Sequence, residues 1–235
     1  MMQTASTYGR SLSVLLRGLS GSDIPVRFMD EAEGDDSYIG KRSVISLENV
    51  LFPNALLNHA IEGLSIVKRA SVAHAAAHLL FSTPAREVAR LKPMGLAVVS
   101  ALEDARVEYM LIKRFPGVRR WFSLAMREPS EDTDVFSSMI AKLSFGLLHD
   151  QIQFEDYWVN KARNLFFEMM ASSGLEDYDQ YRAIASVLAN DLGQMRIQFN
   201  ARTYVNPVEY RDDNTYLWNF GSQRSEPELV QIGRA

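Results

Sequence analysis

Apolar residues recur at intervals of three and four along most of the chain after Leu47. This spacing places apolar side chains on one face of a helix, so it predicts a mainly α fold. The predicted helices cover residues 54–81, 94–114, 118–126, 135–148, 155–171 and 178–199. The first of these is long enough to be either one helix or two helices separated by a break. After residue 199 the pattern is irregular and aromatic, and no helix is expected there.

A different pattern occupies the N-terminal part. Short apolar or β-branched runs at residues 24–29 and 42–47 flank a turn-rich segment at 30–36, which predicts a small β element. The first residues are polar apart from one amphipathic run that ends at a Gly-Ser-rich stretch. The chain is therefore predicted to have a flexible lead-in over residues 1–22, one helical domain over 23–220 and a polar tail over 221–235.

Local signals mark the predicted helix boundaries. Pro84 and Pro93 bracket the loop before the second long helix, and Pro116 follows its end. Gly174 is placed to terminate the helix over 155–171, and the side chain of Asp177 is placed to cap the next one. The expected architecture is thus a multi-helix domain with short loops.

Composition limits the classes of function. The chain has 235 residues, of which 47% are apolar and 23% charged, and these values are typical of a globular protein. A net charge of −4 argues against a general nucleic-acid binder. Apolar stretches fall short of the roughly 20 residues that cross a bilayer, and no secretory signal is recognisable. We therefore expect a cytoplasmic protein that is not an integral membrane protein.

Metal chemistry is the strongest candidate function in the residues themselves. The chain has no cysteine, which leaves His, Asp and Glu as strong metal ligands. His74 and His78 are four apart on a predicted helix, where both imidazoles can bind one ion. The next helix carries Glu103, Asp104 and Glu108, and in a zincin-like arrangement it supplies the third ligand. One interpretation is that His74, His78 and Glu103 bind a divalent metal such as zinc. The other is that the histidines, surrounded by alanines, form a helix-packing or hydrogen-bonding face.

Catalysis by this site is in question from the sequence alone. A zinc protease needs a glutamate after the first histidine to activate its water, and this chain has Ala75. Two interpretations remain open. One is a metal-dependent hydrolase in which Glu108, on the same helix face as Asp104, acts as a substitute base. The other is a structural site, in which Arg106 ties the acidic residues to a neighbouring helix through bidentate hydrogen bonds.

Partner binding is the second candidate function. Candidate contact residues lie on the acidic helix and directly after it, and they are Arg106, Glu108, Arg114, Arg119 and Arg120. The basic group beside Trp121 either docks an acidic partner or forms a solvated helix end. Phosphate-binding loops, dinucleotide-binding glycine motifs and nucleophile elbows are not found, so the chain offers no nucleotide site of its own.

Five segments together resemble one known family. They are YIGKRSVISL at 38–47, VAHAAAH at 72–78, LEDARVE at 102–108, RFPGVRR at 114–120 and YRDDN at 210–214. This succession resembles the region that precedes the von Willebrand type A domain in nitric oxide reductase activation proteins of the NorD type. It is also similar to the related adaptor subunit of the bacterial Rubisco activase, the CbbO type. The resemblance extends from about residue 26 to residue 220.

The resemblance implies an adaptor rather than an enzyme. Members of this family work with a ring-shaped AAA+ ATPase of the MoxR class and help a target metalloenzyme to become active. Such a chain is expected to have two partners, the MoxR-type ATPase and the target enzyme. The sequence ends before the von Willebrand domain, so a fragment, a split subunit or a stand-alone form is expected, without the target-binding site usually placed in that domain.

Overall fold

A computed structural model describes residues 2–29, 41–53, 65–88, 91–130 and 133–220. The fold is mainly α, as the periodicity predicts. The helices in the described residues are α1 (Met2–Ser20), α2 (Ile66–Phe81), α3 (Pro93–Arg114), α4 (Val118–Ala125), α5 (Val135–Leu148), α6 (Tyr157–Ser172) and α7 (Tyr178–Gln194). The strands are β1 (Val26–Phe28), β2 (Val44–Ile45), β3 (Val50–Phe52), β4 (Arg86–Glu87) and β5 (Trp218–Asn219). The predicted segment 54–64 and the predicted tail 221–235 lie outside the described residues.

Aspartate caps fix the starts of the last three helices. The side chains of Asp134, Asp156 and Asp177 accept hydrogen bonds from backbone N–H groups in the first turns of α5, α6 and α7. Each cap satisfies a donor that has no partner within the helix. The predicted cap at Asp177 is confirmed, and Gly174 after α6 has the left-handed φ of 76° expected at a helix end.

The N-terminal region differs from its prediction. Residues expected to form a flexible lead-in form helix α1, which packs against α2 and β1. Leu12 and Leu16 of this helix are fully buried. The amphipathic run is therefore part of the core, and the glycines in it do not mark disorder. Gly9 allows α1 to approach β1, because a Cβ at this position would lie 2.9 Å from the backbone oxygen of Val26.

The predicted β element is confirmed as a three-stranded sheet in the order β1-β3-β2. β1 pairs with β3 in parallel, and β2 pairs with β3 antiparallel. The two outer strands fall in the predicted runs at 24–29 and 42–47. The central strand β3 was not predicted, because the chain after Leu47 was expected to be helical and these three residues are too few to contradict that pattern.

Helix α2 lies at the centre of the fold, between α1, α3 and α4. Its middle is made of alanines, and Ala70, Ala73 and Ala77 have no exposed surface. Small side chains let neighbouring helices approach closely, as ridge-into-groove packing requires. This close approach brings the two histidines of α2 within hydrogen-bonding distance of groups on other elements.

The segment after α7 returns across the helices to complete this centre. The last helix was predicted to continue to residue 199, but it ends at Gln194, and Arg196 adopts a positive φ of 57°. The chain then runs in irregular form to β5, which pairs with β4 in parallel. A single bridge joins Ser43 to Asp212. The C-terminal segment, defined here as residues 199–219, is thereby tied to β4 and to Ser43, the residue before β2.

None of the helices among the described residues is both long enough and apolar enough to cross a membrane.

Two glycine substitutions test the packing of α1. We expect Gly9→Ala to destabilise the protein by about 1–3 kcal/mol, because the added methyl group overpacks against the backbone of β1. Gly18→Ala in the same helix has open space around it, so it should be neutral or stabilise by up to about 1 kcal/mol. Urea unfolding of both variants measures the difference. Equal effects of the two substitutions would contradict a packed α1.

Candidate metal centre

Four buried side chains from three separate elements meet at the centre of the fold. We call them the central cluster, and its members are His74, His78, Asp104 and Asp212. One nitrogen or oxygen atom from each lies within 4.8 Å of the others, and this group can hold a metal ion. The histidines come from α2, Asp104 from α3 and Asp212 from the C-terminal segment. Each side chain is at most 1% exposed.

The contacts inside the cluster run between imidazole nitrogens and carboxylate oxygens. His74 Nε2 lies 3.1 Å from Asp212 Oδ1 and 4.0 Å from Asp104 Oδ1. His78 Nε2 lies 3.3 Å from Asp104 Oδ1 and 3.7 Å from Asp212 Oδ1. Both imidazoles therefore present the same nitrogen, Nε2, to the same pair of oxygen atoms.

The other nitrogen of His74 is held by a carboxylate. His74 Nδ1 lies 3.0 Å from Glu108 Oε1. Glu108 in turn accepts two hydrogen bonds from the guanidinium of Arg211, each 2.9 Å long. Arg211 also donates to Ser144 Oγ at 3.0 Å. Since Glu108 accepts from Nδ1–H, the orientation of the His74 ring is fixed.

The other nitrogen of His78 is held by a hydroxyl group. Ser82 Oγ donates a 2.7 Å hydrogen bond to Glu103 Oε1, so it is available to accept from His78 Nδ1 at 2.9 Å. Glu103 forms a bidentate pair with Arg106, at 2.6 and 2.8 Å. This hydrogen-bond network assigns the His78 proton to Nδ1. A neutral His78 then directs its Nε2 lone pair at the oxygens of Asp104 and Asp212.

Amide groups of the C-terminal segment hold the two aspartates. Asn214 Nδ2 donates to Asp104 Oδ1 at 2.7 Å, and Asn206 Nδ2 donates to Asp104 Oδ2 at 3.2 Å. The backbone N–H of Asn214 donates to Asp212 Oδ2 at 3.1 Å, in a turn where Asn214 has a φ of 58°. Asparagine tolerates this left-handed conformation better than most residues. The carboxylates are therefore oriented before any ion binds.

Charge is not balanced within this buried region. Asp104, Glu108 and Asp212 carry three negative charges, whereas Arg211 supplies one positive charge. Glu103 and Arg106 form a pair that cancels. Two negative charges therefore remain when both imidazoles are neutral. Buried charges without partners are costly, so compensation must come from two imidazolium protons or from a bound divalent cation.

The electrostatic environment shifts the pKa values of these groups. Burial opposes protonation of His74, but hydrogen bonds to Asp212 and Glu108 outweigh burial and raise its pKa to about 9. Burial would raise the pKa of Glu108, but the charge of Arg211 and the bond to His74 lower it to about 2. The pKa of Asp104 is also lowered, because the His78 bond and the Arg211 charge outweigh burial. The site thus stabilises positive charge strongly.

The structure brings together most of the predicted metal residues. His74 and His78 share one site as expected. Glu103, the expected third ligand, is not in the central cluster, because its carboxylate is engaged by Arg106 and Ser82. The adjacent Asp104 lies beside the imidazoles instead. Glu103 acts one step further out, where it orients Ser82 and through it the ring of His78.

The predicted partner-binding residues fall into two groups. Arg106 and Glu108 are each 2% exposed, so they do not offer a surface to another protein. The prediction that these two residues bind a partner is therefore wrong. Arg106 instead donates to the carbonyls of Phe81 and Leu175. Arg114 and Arg120 are exposed, whereas Arg119 is half-buried and donates to the carbonyl of Leu148.

Several residues of the site were not identified from the sequence, and they are Asp212, Arg211, Asn206, Asn214 and Ser82. Asp212 is 138 positions from His74, and no periodicity relates an irregular segment to a helix over that distance. The only signal was the YRDDN segment at 210–214, which combines acidic, basic and amide side chains.

Comparison with protein-family models, with curated proteins and with solved structures finds no match for this chain. The central cluster is therefore interpreted from its own geometry.

The pair between Glu108 and Arg211 generates a stability prediction. We expect Glu108→Gln to cost about 3–5 kcal/mol at neutral pH, because it leaves a buried guanidinium without its counter-charge. Since the pKa of Glu108 is lowered from 4.5 to about 2, its stabilising effect is complete above pH 4.5 and is lost as pH falls through 2. The difference between wild type and variant should shrink accordingly.

Urea unfolding at several pH values measures this difference. Asp191→Asn serves as the control, because Asp191 pairs with Lys161 at 2.6 Å in a more solvated position. The control should lose much less stability than Glu108→Gln. Equal losses in the two variants, or a gap that widens in acid, would refute the electrostatic role given to Glu108.

Proposed function

We propose that this chain is a non-catalytic adaptor that works with a MoxR-type AAA+ ATPase to activate a metalloenzyme such as nitric oxide reductase. A Rubisco-activating adaptor is the alternative branch of the same function. In this proposal the central cluster is a structural centre, which holds the fold in the form that partners bind. Its cofactor is a divalent metal ion, with zinc as the first choice.

One observation carries the proposal. Three of the segments that resemble the adaptor family, residues 72–78, 102–108 and 210–214, meet at the central cluster. They are separated in the chain, and all their residues except Asp213 are buried. Residues that share an interior site specify an architecture, and this supports the proposal that the three segments form the internal framework of such an adaptor. A buried cluster that joins three segments can stabilise a fold for partner binding without acting on a substrate, which supports the adaptor proposal.

The contacts of the site favour a structural centre over a hydrolase. Four protein ligands fill a tetrahedral zinc shell, whereas catalytic zinc keeps a position for water. A substrate also needs access, and the cluster side chains are at most 1% exposed. Glu108, the substitute base considered above, is held by Arg211, and its pKa of about 2 makes it a weak base at neutral pH.

Exposed residues at the end of α3 and on α4 support partner binding. Lys113, Arg114 and Arg120 are exposed, and Leu124 on the adjacent helix α4 is 60% exposed. Arg120 and Leu124 are four apart on α4 and therefore share one face of that helix. A basic group beside an exposed apolar side chain suits an acidic partner surface, since charge steers association and apolar contact adds affinity. The net charge of the chain is negative, so this basic region is local.

Capture of the ATPase tests the proposed function. The tagged chain should retain a MoxR-type ATPase from native lysate, and the purified pair should bind in the presence of ATP. The double variant Arg114→Glu with Arg120→Glu should weaken binding at least tenfold, because it reverses the charge of the contact region. Binding by calorimetry or by surface capture measures the change.

Arg202→Glu provides a control with one reversed charge, because Arg202 is an exposed arginine outside this region, and it is compared with each single variant, Arg114→Glu and Arg120→Glu. It should bind the ATPase as the wild type does. Failure to recover any MoxR-type ATPase, or equal weakening by the control, would refute the proposed contact and remove the support for an adaptor.

A further inference from the structure

We propose that the central cluster binds one zinc ion through His74 Nε2, His78 Nε2, Asp104 Oδ1 and Asp212 Oδ1, and that the ion fastens the C-terminal segment to α2 and α3. The inference rests on the structural role proposed above for the cluster. It adds the identity of the ligands, the class of the ion and the part of the fold that depends on it.

The distances between the four atoms fit tetrahedral coordination. A tetrahedral ion with bonds of about 2.0 Å separates its ligand atoms by about 3.3 Å. The four nitrogen-to-oxygen distances in the cluster are 3.1, 3.3, 3.7 and 4.0 Å. Small movements bring these four distances to the tetrahedral value, and one ligand atom from each of the four residues lies within 4.8 Å of the others. The two rings lie edge to face with centroids 4.6 Å apart, so both Nε2 atoms can point to one centre.

Lone pairs converge where the ion would lie. The hydrogen bond to Ser82 places the His78 proton on Nδ1, and the bond to Glu108 favours Nδ1 protonation in His74. When both rings are neutral, they face carboxylate oxygens with unprotonated nitrogens. This arrangement is repulsive unless protons on the two Nε2 atoms or a cation compensate it, and one divalent ion removes both of the excess negative charges described above.

The outer contacts are those that metal-binding histidines use. A histidine ligand usually donates its second N–H to a carboxylate, a carbonyl or a water, which fixes the tautomer and the ring orientation. His74 donates to Glu108, and His78 donates to Ser82, which is backed by Glu103. The free oxygens of both aspartates are also bonded. Every ligand is thus held from its outer side.

The ligand chemistry selects zinc over harder cations. Imidazole suits zinc and similar transition metals, whereas magnesium and calcium prefer six or more oxygen ligands. Two nitrogens and two oxygens in a closed, buried site match structural zinc.

Asp212 gives the ion its role in the fold. It is the only ligand from the C-terminal segment, whose other described ties include the two-residue strand β5 and the bridge from Ser43. Helices α2 and α3 also pack against each other directly. Without compensation of their charges, Asp212 and Asp104 repel each other, so the segment loses one of its buried anchors while the pair between Arg211 and Glu108 remains. The ion therefore acts as a fastener for residues 199–219.

Metal content and exchange protection test the proposal together. The chain, purified without a polyhistidine tag, should contain about one zinc per molecule. Cobalt substitution should give the intense visible absorption of a tetrahedral site. Removal of the metal by a chelator should reduce amide-exchange protection in peptides covering 204–219 by at least tenfold. Protection in α5 and α6 should change much less.

Neighbouring carboxylates supply matched variants. Asp212→Asn should lose bound zinc, whereas Asp213→Asn should keep it, because Asp213 is exposed and bonded to Thr215. Glu103→Gln should still bind one zinc, with affinity lowered about 10–100-fold, as expected for a residue behind the ligands. Zinc titration of the metal-free wild type provides the same evidence if Asp212→Asn fails to fold.

Each outcome decides the inference. Absence of zinc from the wild type and failure of the metal-free protein to take it up would overturn the site. Bound zinc without any change in exchange of residues 204–219 would overturn the fastening role. Loss of zinc in Glu103→Gln but not in Asp212→Asn would assign the ligands differently. Failure to capture the ATPase by a zinc-loaded protein would refute the adaptor function alone.

Discussion

The need to compensate buried negative charge constrains the centre of this protein. Asp104, Glu108 and Asp212 are withdrawn from water, and only one guanidinium opposes them directly. A carboxylate in this position is tolerated only if it is paired or bound to a cation. The imidazoles, amides and hydroxyls around the three carboxylates meet that demand with specific geometry. An apolar core could be repacked by many side chains of similar volume, whereas this polar core accepts few alternatives.

The surrounding fold provides the closeness that the site needs. Alanines along α2 bring α1, α3 and α4 near its axis, and the histidines project from this narrow helix. A left-handed residue at Asn214 turns the C-terminal segment so that a side-chain amide and a backbone N–H both face the aspartates. The bridge from Ser43 sets the position of Asp212 along that segment. The turn at Asn214 and the bridge at Ser43 therefore place charged and polar groups that are far apart in the sequence within contact distance.

The sequence predicted the helices well and the site only in part. Six helices follow a clear apolar period, and the cap at Asp177 was recognised from its residue type. Helix α1 was missed, because its glycines and polar residues resemble a disordered start, although Leu12 and Leu16 are buried. Asp212 was missed because contacts across 138 positions depend on the path of an irregular segment. Periodicity carries no information about such a path.

The choice between Glu103 and Asp104 follows from helix register. Consecutive residues point about 100° apart, so only one of the two can face the histidines. When two helices pack antiparallel, moving four residues forward on one helix corresponds to moving four residues backward on the other. His74 meets Glu108 and His78 meets Asp104, which is this pattern. Asp104 and Glu108 share a face of α3 and are four residues apart, as the two histidines of α2 are, so each histidine meets one of the two carboxylates. Glu103 lies on the neighbouring face, where Arg106 neutralises it.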